Sequence, residues 1–232
     1  GFRSIESKLT GHGECHLYPE GVLLSNGPLG SSVGQAQGLA MADKLSGSDR
    51  VTINVVSDGA SMEGEAKEAF AAIPGLALKG LINPFVLMIS DNNTKLSGRI
   101  DADSFSMNPS LSTMQALGWH VIEVAQGNDL QACYTAIEAA LNTVTASTPI
   151  CLRLKTIKGF GVKATEQHAG GGHGFPIKAY SEDIHAFINE IWGSEDLPRE
   201  FSAWATSLTI KNDDIAPKAV KLSEGAKFEK MQ

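Results

Sequence analysis

The sequence predicts an α/β fold in which a parallel sheet carries helices on both faces. Strand-length apolar runs alternate with stretches of helical spacing along the chain. Two of those runs, 51–57 and 85–90, are each followed by a polar turn that begins with an aspartate. Glycine, 24 of the 232 residues, clusters at 11–38, at Gly59 and Gly64, and at 159–174. Clustered glycine between apolar runs marks turns, and loops where backbone comes close to another group.

The elements follow in order. Residues 31–45 read as a helix that Ser31 or Ser32 can cap, with Gly34, Ala36, Gly38 and Ala40 permitting close packing. The β-branched run 51–57 reads as a buried strand. Residues 61–73 read as a helix that stops before Pro74. Phe85 to Ser90 is the second strand, Leu111 to Leu117 a short helix, and His120 to Val124 the third strand, with His120 structural. Asp129 to Val144 has helical spacing, with Asp129 as cap and Leu130, Cys133, Ile137, Ala140, Leu141 and Val144 as the apolar stripe. Pro149 to Leu154 is the fourth strand. After a glycine-rich loop, Ser181 to Trp192 forms an amphipathic helix with acids at its start. Residues 1–195 are therefore expected to form one domain and 196–232 a linker or tail.

Bulk properties narrow the function. Hydrophobic residues make up 42% and charged residues 19% of the chain, a globular balance. The formal net charge of −7 argues against nucleic acid as a partner. No run of 18 apolar residues is present, so no membrane span is expected. Cys15, Cys133 and Cys151 are far apart and have no metal-ligand spacing, which fits a reduced, cytoplasmic setting.

The chemistry is expected at the carboxyl ends of the first two strands, where ligands bind in open parallel sheets. Asp58 ends one strand and Gly59 lets the chain turn into a helix whose N-terminus favours phosphate. The next strand ends in Asp91-Asn92-Asn93-Thr94. A carboxylate, an amide oxygen and a backbone carbonyl are hard ligands suited to Mg²⁺ or Ca²⁺, with diphosphate oxygens and water completing the shell.

These residues resemble the thiamine diphosphate fingerprint. Ser57-Asp58-Gly59-Ala60-Ser61-Met62-Glu63-Gly64 followed by Asp91-Asn92-Asn93 is similar to the transketolase form, and so are Gly11-His12-Gly13-Glu14, Gly27-Pro28-Leu29-Gly30, Gly118 to Val124, and Lys155 to Gly161 with His173-Gly174. The resemblance covers roughly residues 8–176. It implies that Asp58, Asn92 and the Thr94 carbonyl hold Mg²⁺ or Ca²⁺, with Asn93 competing with Asn92. It also implies that Gly59 offers its amide to the diphosphate and that Gly27, Pro28 and Leu29 lie near the aminopyrimidine. By the same resemblance His12 faces the substrate channel, His173 contacts diphosphate or substrate, and Glu63 joins a carboxylate network at a subunit interface. His16 and His168 stand beside the matched histidines as alternatives.

Two departures stand out. Ser57 occupies the fingerprint's first glycine, and Asp58 and Asn92 are 34 residues apart, which suggests a longer loop around Pro74-Gly75 and Asn83-Pro84. The implied activity is transfer of a two-carbon ketol unit between sugar phosphates. The glutamate that contacts the pyrimidine has no candidate here, so a partner subunit or domain is expected to supply it within a homo- or hetero-oligomer. The alternatives are 1-deoxyxylulose-5-phosphate synthase, a 2-oxoacid dehydrogenase component, or a non-catalytic cofactor-binding subunit.

Overall fold

The computed structural model describes residues 11–173, 177 and 181–215. The chain divides after residue 176 into two compact units. In the first, α1 (Ser31–Ser46) precedes β1 (Thr52–Ser57), a 3₁₀ turn (Ala60–Met62), α2 (Gly64–Leu78) and β2 (Phe85–Asp91). A small hairpin, β3 (Thr94–Lys95) and β4 (Gly98–Arg99), leads into α3 (Ile100–Asp103) and α4 (Asn108–Ser112). Then come β5 (His120–Val124), α5 (Leu130–Thr143), β6 (Ile150–Lys155) and α6 (Lys163–Gln167).

The four long strands form a parallel sheet in the order β1-β2-β6-β5. β2 is central and buried along nearly its whole length, as a strand covered on both faces must be. One face packs Leu87, Ile89 and Cys151 under α1, α2 and the segment carrying Met107, Leu111 and Met114. The other face packs Val86, Met88, Ile150 and Leu152 against α5 through Ala140. β1 lies at the edge and alternates: Thr52, Asn54 and Val56 point inward, while Ile53 and Val55 are exposed.

Several local expectations need correction. The helix expected to stop before Pro74 runs through it to Leu78. Proline at 74 deprives the Phe70 carbonyl, four residues back, of its helical donor. The Trp119 indole N–H fills that place, 2.8 Å from the Phe70 oxygen in the core. Gly118 adopts a left-handed φ of 106°, and a Cβ there would lie 3.0 Å from Pro74 Cβ, so the glycine lets the indole close against the proline turn. The residues around Pro74 and Gly75 thus lengthen a helix rather than a loop.

Ser31 is not the cap of α1. Gly30, at φ 83°, holds that position, and the Ser31 hydroxyl donates to the Pro28 carbonyl at 2.8 Å. The short helix expected at Leu111–Leu117 begins earlier, at Asn108, because Pro109 sits in its first turn, where a missing N–H costs nothing. Asp129 caps α5 as expected, accepting from the Ala132 amide at 2.7 Å. Leu130 and Leu141 are exposed and leave the stripe, which Ala136, Ile137, Ala140 and Val144 carry. His120 is exposed on β5.

The second unit holds α7 (Glu182–Trp192) and α8 (Arg199–Ile215). Gly193, at φ 86°, ends α7 and donates to the Asn189 carbonyl. Phe201 and Trp204 meet one turn apart on α8 in a tilted pair, with ring centroids 5.8 Å apart. α8 occupies much of the stretch read from the sequence as a linker, and residues 216–232 lie outside the described ones.

Candidate functional site

The site is built at the carboxyl ends of β1 and β2. Their register pairs Ser57 with Ser90, and the next step brings Asp58 and Asp91 side by side on one face of the sheet. Asp58 is fully buried. Its Oδ1 accepts from the Gly59 amide at 2.8 Å, and its Oδ2 accepts from the amides of Asn92 at 2.9 Å and Asn93 at 2.5 Å. Burial pushes the Asp58 carboxyl above its ordinary range. The Asn93 and Gly59 amides pull it back, the neighbouring Asp91 charge pushes it up again, and the Asn92 amide pulls it back.

The turn after β2 folds so that those amides point at Asp58. Asn93 takes a left-handed φ of 55°, as asparagine tolerates, and its Oδ1 accepts from the Asp101 amide at 3.0 Å. Asn92 is oriented differently. Its Nδ2 donates to Ser90 Oγ at 3.2 Å, while its buried Oδ1 has no hydrogen-bond donor. The Thr94 carbonyl closes the same corner, 3.1 Å from where a Cβ on Gly59 would stand. Only glycine fits there without pushing that carbonyl away. The Gly59 amide, expected to face a diphosphate, is donated to Asp58. Ser57 has a local task, since its Oγ accepts from the Ala60 amide at 3.1 Å and starts the 3₁₀ turn.

Asp91 lies beside this corner in a different setting. Arg153 Nε donates to its Oδ2 at 2.6 Å, and Lys155 Nζ contacts the same oxygen. The Arg153 guanidinium also donates to Asn108 Oδ1 at 2.7 Å and to Glu123 Oε1 at 3.3 Å. A cavity of about 170 Å³ touches Asp58, Asp91, Asn93 and Lys155. Arg153 and Lys155 received no role from the sequence; the alternation of Arg153 with apolar residues in a strand was the available signal.

A second cavity, about 330 Å³, opens at the β1 edge and is lined by His12, Gly27, Pro28, Leu29, Val55 and Ser57 among others. The loop there is pinned by an isolated bridge between Gly13 and Asn26. The structure thus brings His12 together with the Gly27–Leu29 loop. Glu63 is exposed at the start of α2, packed so close to Gly30 that a Cβ on that glycine would lie 2.8 Å from Glu63 Cβ. His173 is exposed, and its amide donates to the Gly170 carbonyl at 3.1 Å; Gly174 lies outside the described residues. His16 is exposed beside Glu14. His168 turns its Nδ1 toward the Gly170 amide, 3.2 Å away.

What the corner can do follows from its donors. A buried carboxylate with three amide partners has used most of its lone pairs and keeps about one in-plane position. An unpartnered amide oxygen and a nearby main-chain carbonyl complete an oxygen set with one negative charge. Such a set fits a hard dication that shares its shell with an anionic ligand.

Known proteins resemble this chain in sequence and in fold. The family described as "Transketolase, thiamine diphosphate binding domain" matches residues 1–216. Transketolase 2 of Vibrio parahaemolyticus is 33% identical, matching 90% of this chain and 32% of its own length. Transketolase 10 of Craterostigma plantagineum is also 33% identical, over 99% of this chain and 32% of its own length. Among solved structures, a transketolase from Pichia stipitis in complex with sedoheptulose-7-phosphate superposes with a TM-score of 0.67 at 26% identity, covering 92% of this chain and 32% of that one. The transketolase of Campylobacter jejuni superposes at 0.63 with 27% identity, over 86% of this chain and 31% of that one. The chain therefore spans about one third of the length of the relatives it matches.

Proposed function

This chain belongs to the transketolase family, matching its thiamine diphosphate-binding domain, and from that premise we propose that it binds the cofactor's diphosphate through a divalent metal, Mg²⁺ or Ca²⁺, at the corner of Asp58, Asn92 and Thr94. The observation that carries the reading is the Asn92 side chain. Its amide oxygen is buried without a donor beside a buried carboxylate whose partners are neutral amides. An orphaned buried acceptor is costly unless something fills it, and a dication fills it. The same observation favours Asn92 over Asn93, whose amide oxygen is already engaged.

The other residues take their parts around that metal. Gly59, with no Cβ to crowd the Thr94 carbonyl, leaves room for the diphosphate in the same corner. Gly27, Pro28 and Leu29 offer a flat backbone surface to the aminopyrimidine, and His12 in the same cavity faces the substrate. His173 contacts diphosphate or substrate as a hydrogen-bond donor. Glu63 meets a partner subunit. When bound, the cofactor supplies a thiazolium carbon nucleophile, and the protein supplies position and electrostatics. The reaction proposed is two-carbon ketol transfer between sugar phosphates, within an oligomer whose other domains provide the pyrimidine-contacting glutamate. The sedoheptulose-7-phosphate named with the Pichia stipitis relative supports that substrate class.

The test is calorimetric titration of thiamine diphosphate into the chain with and without Mg²⁺. Binding should require the metal and weaken by about 100-fold or more in Asp58→Ala and in Asn92→Ala, since metal ligands matter at least as much as the groups behind them. Metal-independent binding, or unchanged affinity in Asp58→Ala, would overturn the assignment.

A further inference from the structure

We infer that Arg99 is a positioning residue that fastens the histidine-bearing loop, residues 158–173, to the Thr94 hairpin. The inference rests on the cofactor reading above for its purpose, and on the geometry alone for its existence. Arg99 sits on β4 and pairs in register with Thr94 across the hairpin. Its Nη1 donates to Thr94 Oγ1 at 2.8 Å. Its Nη2 reaches the other way and donates to the carbonyls of Glu166 at 3.2 Å and His168 at 3.4 Å.

Both ends of this link are tied further. The Thr94 hydroxyl donates on to the Asn92 carbonyl at 3.0 Å, inside the turn that presents Asn92 and the Thr94 carbonyl to Asp58. On the loop side, the His168 carbonyl also accepts from the Gly171 amide at 2.8 Å, and Glu166 Oε1 accepts from the Gly161 amide at 2.8 Å. One guanidinium thus joins the turn proposed to hold the metal to the folded loop that carries His168 and His173. Arginine suits the task because its planar fork can bond in two directions at once, whereas lysine acts as a single point. A metal at the proposed corner would steady the Thr94 turn, and Arg99 would pass that restraint to the loop.

Amide hydrogen exchange of the intact chain tests this without needing the cofactor. In Arg99→Ala the Gly161, Gly170 and Gly171 amides should exchange roughly tenfold faster, with β2 and β6 amides unchanged as evidence of an intact fold. Thr94→Val, which keeps the backbone carbonyl and removes the hydroxyl, should shift the same three amides in the same direction. It should add nothing in the Arg99→Ala background. If Thr94→Val leaves the loop amides unchanged, or its effect adds to that of Arg99→Ala, the link is refuted. A second arm adds Mg²⁺ and thiamine diphosphate: the loop amides should slow in the wild-type chain and not respond in Arg99→Ala. A wild-type chain that binds no cofactor would count against the proposed function, while the exchange cycle would still decide the link.

Discussion

Asp58 and Asp91 end adjacent strands, face the same side of the sheet and are both buried, yet they are held in opposite ways. Asp91 has two cations on one oxygen, and its charge is answered within the fold. Asp58 has amides only, and burial raises its pKa. The contrast separates an aspartate whose charge is answered by cations within the fold from one that meets only backbone amides. A charge already paired adds little to a metal site, whereas one held by neutral dipoles in the core keeps its appetite for a cation.

The comparison is most strongly broken at Arg153. Arg153→Ala leaves Asp91 buried with only the half-exposed Lys155, and should cost about 3–5 kcal/mol of folding stability by urea denaturation. A loss below about 1 kcal/mol would mean that Asp91 is no better satisfied than Asp58.

The second test uses pH. Because the folded pKa of Asp58 is raised, the folded chain binds the extra proton first, and the cost of its buried charge is fully present above that pKa. In the metal-free chain the wild type should therefore gain stability relative to Asp58→Asn as pH falls through the folded pKa toward the ordinary value of 3.8. On the proposed metal reading, adding Mg²⁺ and thiamine diphosphate should reverse the sign, because protons would compete with the metal for Asp58. A wild-type-to-Asn difference that is flat with pH in the metal-free chain would show that the three amides fully offset the burial.

The smallest effect is expected at Lys155. Its side chain is 44% exposed, so Lys155→Met should change stability by about 1 kcal/mol or less. A larger loss would move the burden of holding Asp91 from Arg153 to Lys155.

The legibility of these features in the sequence follows from their range. The four strands were readable because each is a short β-branched or apolar run, and β2 is the most apolar because it is covered on both sides. The places of Asp58 and Asn92 at strand ends were readable because each directly follows an apolar strand-length run. The Asp91–Arg153 pair was not, because it needs β6 to lie beside β2 with Ile89 opposite Arg153, and sheet order is not a local property. Pro74 misled for a related reason. A proline ends a helix by local rule, and here the missing donor comes from an indole 49 residues beyond the carbonyl it satisfies. Arg99 lies between two loops whose approach no spacing in the chain announces.

The indole of Trp119 also makes the molecule its own gauge. The chain has three tryptophans; Trp119 is 2% exposed, while Trp192 and Trp204 are each 56% exposed and belong to the second unit. A buried indole emits to the blue of hydrated ones, so the intrinsic fluorescence carries two colours, one for each unit. During denaturation the blue component follows the joint between α2 and the sheet, and the red component follows α7 and α8. Whether the two units melt together or apart can be read from a single cuvette without any label.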